Sequence, residues 1–215
     1  MVPIISFIGT SGSGKTTLME KVVAALKKRG IRVAVIKHTH HDEISLDKKG
    51  KDSQRYTAAG AALVIISGAH EFVSIKQTDR DLSPQEIAGI INTDIDLILT
   101  EGFKSASTMK IEIHRKALEP ELLARPEQLL AVVTDEKLDV KVPQFDIKKD
   151  NTLAVADLIE KWLSQQPKRE IEITVNGEYV PLNPFVRDIF TKTIEGMLSS
   201  LKGVDSVNSF KISLH

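Results

Sequence analysis

Apolar runs and amphipathic stretches alternate over the first 165 residues of this 215-residue chain. Val2–Ile8 and Ile95–Thr100 are almost continuously apolar, as is typical of parallel strands buried on both faces. Between them, Lys15–Arg29 carries apolar residues at helical spacing, and Gly30 follows as a helix terminator. This alternation predicts an α/β fold with helices covering a mostly parallel sheet.

Further elements follow from the same pattern. Ser83 with Glu86 three residues later forms a capping box that predicts a helix running to about Ile91. Residues 38–60 are polar until a helix-like stretch near Tyr56, and are predicted to form a long functional or partly ordered loop. The remaining predicted elements are strands at Arg32–Lys37, Ala62–Ser67, Glu71–Lys76, Lys110–His114 and Leu129–Val133, and a helix from its cap at Asn151 to about Trp162.

Beyond Pro167 the pattern changes. Glu170–Val175 and Glu178–Leu182 flank an Asn-Gly pair, the strongest short-range signal for a hairpin. A helix capped by Asn183 and a last strand at Phe210–Leu214 follow. Two units are therefore predicted: a larger domain at 1–166 and a small ββαβ (α+β) appendage at 168–215.

Composition narrows the function classes. The chain is 41% hydrophobic and 27% charged, has no cysteine, and carries 29 basic and 29 acidic residues. Disulfides, thiolate catalysis and Cys-based metal sites are excluded. Zero net charge gives no global attraction to nucleic acid or to a membrane, although residues 1–60 hold 11 basic against 5 acidic side chains. The amino-terminal apolar run is too short to span a bilayer and lacks a basic leader, so a cytoplasmic protein is expected.

Residues 9–16, GTSGSGKT, fit the phosphate-loop pattern G-x-x-x-x-G-K-[ST] between a predicted strand and a predicted helix. The glycines let backbone amides converge on phosphate oxygens, and the helix amino terminus adds its dipole. Lys15 is expected to reach the β- and γ-phosphates, and the Thr16 hydroxyl to bind Mg²⁺. The larger domain is thus predicted to be a P-loop nucleotide-binding domain.

A carboxylate at the end of a neighbouring strand is expected to complete such a site. Asp94, Asp96 and Glu101 all flank the strand IDLILT. Ligands of parallel sheets bind at the carboxyl ends of strands, where Glu101 lies, whereas Asp96 stands ~17 Å back at ~3.3 Å per residue. Glu101 is therefore the candidate for the metal side or for orienting water.

Three histidines, His38, His40 and His41, follow the second strand and emerge at the same sheet edge. They could bind a transition metal, but no cysteine is available to complete a tetrahedral shell. Hydrogen bonding to phosphate or to a partner ligand, with Lys37 supplying charge, is the favoured interpretation.

Four segments in order, GTSGSGKTTL, VIKHTHHD, DKKGKDSQRYTAAGA and DLILTEGFK, resemble the molybdopterin-guanine dinucleotide biosynthesis adapter (MobB) family. The resemblance covers residues 1–165, leaving the appendage outside it, and implies a P-loop GTPase-like fold that binds GTP and Mg²⁺ as a homodimer. It also implies a molybdopterin guanylyltransferase as partner, with molybdopterin as a further candidate ligand.

Carried onto this sequence, the resemblance implies four sets of residues. Lys15 and Glu101 are the catalytic candidates, and Thr16 with Glu101 the magnesium ligands. Triphosphate contacts are expected from Gly12, Ser13, Gly14, Lys15, Thr16 and Thr17, and a switch or partner-ligand loop from Lys37, His38, His40, Asp47, Gly50, Lys51, Asp52, Ser53 and Arg55.

The N-K-x-D motif that reads guanine in ordinary GTPases is absent, and Asp135, after the strand ending at Val133, is the candidate substitute. The expected function is a GTP-binding adapter in molybdenum cofactor biosynthesis with at most slow hydrolysis, because no arginine finger is evident except Arg55, acting across a dimer. Two alternatives stay open: a P-loop small-molecule kinase, for which Arg115 and Arg125 are too isolated to form a lid, and a metallochaperone GTPase that uses the histidine loop.

Overall fold

A computed structural model describes residues 2–39, 52–91, 95–166, 173–175 and 178–201. In chain order its elements are β1 Ile4–Ile8, α1 Lys15–Lys28, β2 Val33–Lys37, α2 Asp52–Ala58, β3 Leu63–Ser67, β4 Phe72–Lys76, α3 Pro84–Ile90, β5 Leu97–Glu101, β6 Met109–His114, β7 Leu129–Thr134, β8 Gln144–Asp146, α4 Thr152–Ser164, β9 Ile173–Val175, β10 Glu178–Val180 and α5 Pro184–Ser199, with a 3₁₀ turn at Pro126–Gln128. The elements predicted within the described residues are confirmed to within about two residues at most ends.

Six strands form one sheet in the order β2-β5-β1-β6-β7-β8, and every neighbouring pair in it is parallel. The central strand β1 aligns Phe7 with Glu101 of β5 on one side and with Ile111 of β6 on the other. All carboxyl ends therefore meet at one edge, as predicted for an α/β fold of this class.

One face of the sheet is apolar. Ile5 and Phe7 of β1 are fully buried there beneath α1 and α4, whose Leu26 and Ile159 are also fully buried. This face fixes the direction in which α1 leaves the sheet, and thereby the position of the loop that precedes α1.

The opposite face carries buried polar groups. The Ser6 hydroxyl lies 2.6 Å from the Thr108 hydroxyl and accepts a hydrogen bond of 2.8 Å from Thr100. The Glu112 carboxylate accepts the backbone amides of Leu123 and Ala124 at 2.8 and 2.9 Å. These partners satisfy groups that would otherwise be costly to bury.

The sheet and its helices differ from the prediction in two places. β8 was not predicted, because this edge strand has three residues and alternates exposed and half-buried positions without an apolar run. Asn151 occupies the cap position of α4 but makes no capping hydrogen bond. Its amide nitrogen instead donates to the carbonyl oxygens of Asp146 and Lys149, and the Asp150 carboxylate accepts the Thr152 amide in its place.

The remaining elements form smaller units. β3 and β4 make an antiparallel two-stranded sheet, and so do β9 and β10. Asn183 caps α5 as predicted, accepting the amide of Val186 at 2.9 Å. The Asn-Gly turn and the predicted strand Phe210–Leu214 lie outside the described residues, and the division into two domains stays a prediction. In the part of the chain that the structure describes, no helix is long and apolar enough to cross a bilayer.

Candidate functional site

The turn between β1 and α1 depends on its glycines. A Cβ at Gly9 would lie 2.3 Å from the carbonyl oxygen of Ile113 and 2.8 Å from Ser13 Oγ, so only glycine allows this turn to approach β6. Gly12 and Gly14 have φ angles of 76° and 102°. Successive amides in such a turn form a concave surface that binds anions, and α1 adds the positive end of its dipole.

Lys15, the first residue of α1, lies across this turn. Its ammonium group donates to the carbonyl oxygen of Thr10 at 2.7 Å. Burial lowers the Lys15 pKa; the Glu101 carboxylate opposes this, and Lys104 and Lys37 lower the pKa further. An anion bound in the turn would offset both the burial and the repulsion, so the site favours a negatively charged ligand.

Glu101 ends β5 and meets the phosphate loop. The Thr16 hydroxyl donates to Glu101 Oε1 at 2.9 Å, and Glu101 Oε2 lies 3.7 Å from the Lys37 ammonium. Two oxygen ligands of this kind suit Mg²⁺, and adjacent ligands of an octahedral shell with bonds of about 2.0–2.1 Å also lie about 2.9 Å apart. The two side chains therefore fit the predicted magnesium site in chemistry and spacing.

His38 continues the same edge. Its Nε2 lies 2.7 Å from Asp81 Oδ2, and its ring centroid lies 4.4 Å from that of Phe103. The His38 amide donates to the carbonyl oxygen of Glu101, and His38 Cβ lies so close to Gly102 that a side chain there would approach it at 3.1 Å. Asp81 and Phe103 were not among the predicted site residues. Phe103 could have been considered, because it follows the predicted Glu101 by two positions in the sequence.

Some of the other residues predicted for the switch loop lie outside the described part of the chain, and the others lie on α2. His40, Asp47, Gly50 and Lys51 lie outside the described residues. Asp52 and Arg55 are exposed on α2, with 3.3 Å between their charged groups, and Asp52 also faces a pocket against β3. Ser53 is buried. Among the residues that the structure describes, no group of three histidine and acidic side chains could hold a metal ion.

Asp135 follows β7 at the same sheet edge. Its Oδ1 accepts the backbone amide of Lys116 at 3.0 Å, a bond that lowers the Asp135 pKa. The neighbouring Glu136 accepts from His114 Nε2 at 3.2 Å and from the Lys116 ammonium at 2.8 Å. Asp135 is thus an ionised carboxylate tied to the segment after β6.

A cavity adjoins the phosphate loop on the side away from Glu101. Its volume is about 230 Å³, and Arg115 crosses one wall, donating from Nε to the carbonyl oxygen of Ser13 at 3.1 Å. Sequence reasoning did not identify this cavity. Its polar lining comes from the phosphate loop and α1 (Ser13, Gly14, Thr17, Lys21), from Arg115, and from the segment before α4 (Lys149, Asp150, Asn151).

Comparison with protein families and known proteins identifies relatives of this chain. Residues 4–135 match the model of the family described as molybdopterin guanine dinucleotide synthesis protein B (MobB). The molybdopterin-guanine dinucleotide biosynthesis adapter protein of Escherichia coli (strain K12) is 38% identical over 171 residues, covering 77% of this chain and 96% of that protein. A relative in Methanocaldococcus jannaschii is 28% identical, and the match covers 98% of this chain and 97% of that protein. The matched part of this chain therefore includes residues from its predicted appendage.

Solved structures show the same fold. The crystal structure of Bacillus subtilis MobB superposes with a TM-score of 0.60 at 27% identity, covering 76% of this chain and 99% of that chain. The match confirms the predicted P-loop type of α/β fold.

Proposed function

Because this chain belongs to the molybdopterin guanine dinucleotide synthesis protein B family, we propose that it is a GTP-binding adapter in molybdenum cofactor biosynthesis. In this role it assists the guanylyl transfer that converts molybdopterin to its guanine dinucleotide. The observation that carries the proposal is the conjunction of the phosphate loop, Lys15 and the Thr16–Glu101 pair at one sheet edge. The family relationship supplies the pathway.

Lys15 and the loop amides would hold the triphosphate. The Lys15 ammonium would leave the Thr10 carbonyl oxygen and bind the β- and γ-phosphates. Residues Gly12 to Thr17 supply the remaining contacts, because they form the turn and the first residues of α1.

Thr16 and Glu101 would hold Mg²⁺, which supplies charge neutralisation at the phosphates when bound. Lys37 pairs with the second Glu101 oxygen and so keeps that carboxylate aimed at Thr16.

Slow hydrolysis at most is proposed. A P-loop site without an arginine finger lacks a group that contributes about 10³–10⁵ in rate. Arg115 is engaged on the other side of the loop with Ser13, and Arg55 pairs with Asp52 on α2. Binding and presentation of the nucleotide, rather than turnover, is the role that these contacts support.

The proposed partners are a molybdopterin guanylyltransferase and a second copy of this chain, in the cytoplasm. Leu63, Ile65 and Phe72 of the β3–β4 hairpin are 50%, 58% and 70% exposed, and an apolar surface of this kind supports a protein–protein contact. Molybdopterin, another anionic ligand, is proposed to approach the edge that carries Lys37 and His38.

The test is a binding titration of GTP and ATP in the presence of Mg²⁺, with Lys15→Ala compared to Lys28→Ala, an exposed lysine on the same helix. Loss of a charged hydrogen-bond donor worth about 1.5–3 kcal/mol predicts a 10- to 100-fold weaker GTP affinity for Lys15→Ala alone.

A second experiment tests the adapter role itself. Stimulation of a guanylyltransferase by the wild-type protein would support it. Rapid ADP formation that depends on an acceptor would instead identify a kinase, and sedimentation of the same samples measures the dimer.

A further inference from the structure

The two sides of the phosphate loop give a bound nucleotide a direction. Lys15 and Thr16 face Glu101 at the carboxyl end of β5, where the terminal phosphates and Mg²⁺ are proposed to lie. Ser13, Gly14 and Thr17 form one wall of the cavity on the opposite side, between the ends of β6 and β7 and the start of α4. A nucleotide whose terminal phosphates lie at Glu101 therefore has its remaining part at this cavity.

The cavity suits part of a nucleotide in size and surface. Its volume of about 230 Å³ is below the ~300–1,000 Å³ of sites that enclose a drug-sized ligand, so it would accept one moiety of a larger molecule. Ile113, Val133 and Ile147 supply apolar lining. Arg115 adds a planar guanidinium, a group that stacks on flat aromatic rings, and its hydrogen bond to Ser13 fixes it at the rim.

Asp150 is a fixed carboxylate in the lining. Its Oδ1 accepts the Thr152 hydroxyl at 2.5 Å and the Thr152 amide at 3.1 Å, and its Oδ2 lies 3.5 Å from the Lys21 ammonium. The hydrogen bonds from Thr152 lower the Asp150 pKa, so the group is ionised at neutral pH. Asn151 donates to two carbonyl oxygens of the same turn and holds its backbone.

A carboxylate of this kind distinguishes purines. An ionised carboxylate only accepts hydrogen bonds. Guanine presents two adjacent donors, N1–H and the N2 amino group, whereas adenine presents one donor beside an acceptor. We propose that this cavity is the nucleoside subsite and that Asp150 reads guanine there. The inference rests on the proposed binding of a nucleoside triphosphate at the loop.

Asp135 is the competing reader, as predicted from the sequence. Both carboxylates already accept hydrogen bonds, but the lining of the cavity includes Asp150 and not Asp135. Substituting each carboxylate separately can therefore show which of the two recognises the base.

The experiment measures affinities for GTP, for xanthosine triphosphate and for inorganic tripolyphosphate in the wild type, Asp150→Asn, Asp135→Asn and the surface control Asp139→Asn. In xanthine a carbonyl replaces the guanine amino group, so an asparagine amide complements it. Asp150→Asn is expected to weaken GTP binding and to strengthen xanthosine triphosphate binding, each by about 10- to 100-fold. Tripolyphosphate binding should stay unchanged in all variants.

The gain of xanthosine triphosphate affinity separates base reading from a structural role, because a damaged turn would weaken both nucleotides. Equal losses for both nucleotides, no change, or a gain confined to Asp135→Asn would each overturn the assignment of Asp150. If the wild type bound neither GTP nor tripolyphosphate, the proposed function itself would fail. If the wild type bound tripolyphosphate and the variants showed no base discrimination, only the assignment of the nucleoside subsite would fail.

Discussion

On the Glu101 side of the phosphate loop, charged side chains from several elements pair with one another. On the Arg115 side a cavity is bounded by loop backbone, strand ends and one turn, with Lys21 and Asp150 3.5 Å apart in its lining. Glu101 lies between Thr16 and Lys37, and His38 meets Asp81. A bound anion or cation would compete with the present partners for these charges. The cavity wall, by contrast, is held by Arg115 and by hydrogen bonds within the turn at 149–152.

From this difference we expect the two sides to contact different parts of the proposed nucleotide. The side made of paired charges is suited to ligands whose charge changes, such as phosphates with or without Mg²⁺. The preformed side is suited to a neutral ring that must be recognised by shape and by fixed hydrogen-bonding groups. Changes on the two sides should therefore alter different measurements.

The largest effect is expected for Glu101→Gln. The change replaces the carboxylate beside Thr16 with a neutral amide. Interactions with a charged group contribute about 1.5–3 kcal/mol. The increase in GTP affinity caused by Mg²⁺ should therefore fall roughly 10- to 100-fold. Titrations with Mg²⁺ and with chelator measure it. Asp96→Asn, near the opposite end of the same strand, is the control and should leave the effect of Mg²⁺ intact. Full retention of that effect in Glu101→Gln would contradict the magnesium assignment.

A smaller effect is expected on the other side for Arg115→Lys. Lysine keeps the charge but loses the planar group and the bond from Nε to the Ser13 carbonyl oxygen. One hydrogen bond of about 0.5–1.5 kcal/mol predicts a roughly 2- to 10-fold loss of GTP affinity. Tripolyphosphate affinity, measured in parallel by calorimetry, should not change. A loss of tripolyphosphate affinity equal to that of GTP would place Arg115 on the phosphates instead.

The smallest effect concerns the segment that carries Asp81. Glu86 accepts hydrogen bonds from Arg80 and Ser83, and these lower its pKa to about 2. Because the pKa is lower in the folded protein, the stabilisation by Glu86 is present above about pH 4.5 and is lost as the pH falls towards 2. Acid unfolding of wild type and Glu86→Gln should therefore show a stability difference that shrinks over this range. A difference independent of pH would show that the ion pair does not contribute to stability.

The fold could be predicted where the signal is local. The phosphate loop is eight contiguous residues between a buried strand and a helix, and Ser83 with Glu86 specifies the start of α3 within one turn. β5 is recognisable because both its faces are buried, which leaves an apolar run. β8 is not, because an edge strand of three residues needs no such run.

The candidate site was only partly predictable. Glu101 could be selected among three acidic residues by its place at the carboxyl end of a strand, and the structure places it 2.9 Å from Thr16, 85 residues away. Arg115 and Asp150 gave no local signal, because each gains its position from contacts that the sequence does not encode as a motif.

The sequence alone determined the strand–loop–helix unit, the parallel sheet and the membership of a family, since these follow from periodicity and from contiguous motifs. Only the tertiary structure decided which side chains face the loop from each side: the pair of His38 with Asp81, the wall formed by Arg115 and the carboxylate of Asp150. The reason is physical. Hydrophobic periodicity fixes which face of an element is buried, but the strand order and the packing of α1 and α4 fix which distant polar groups meet at the sheet edge.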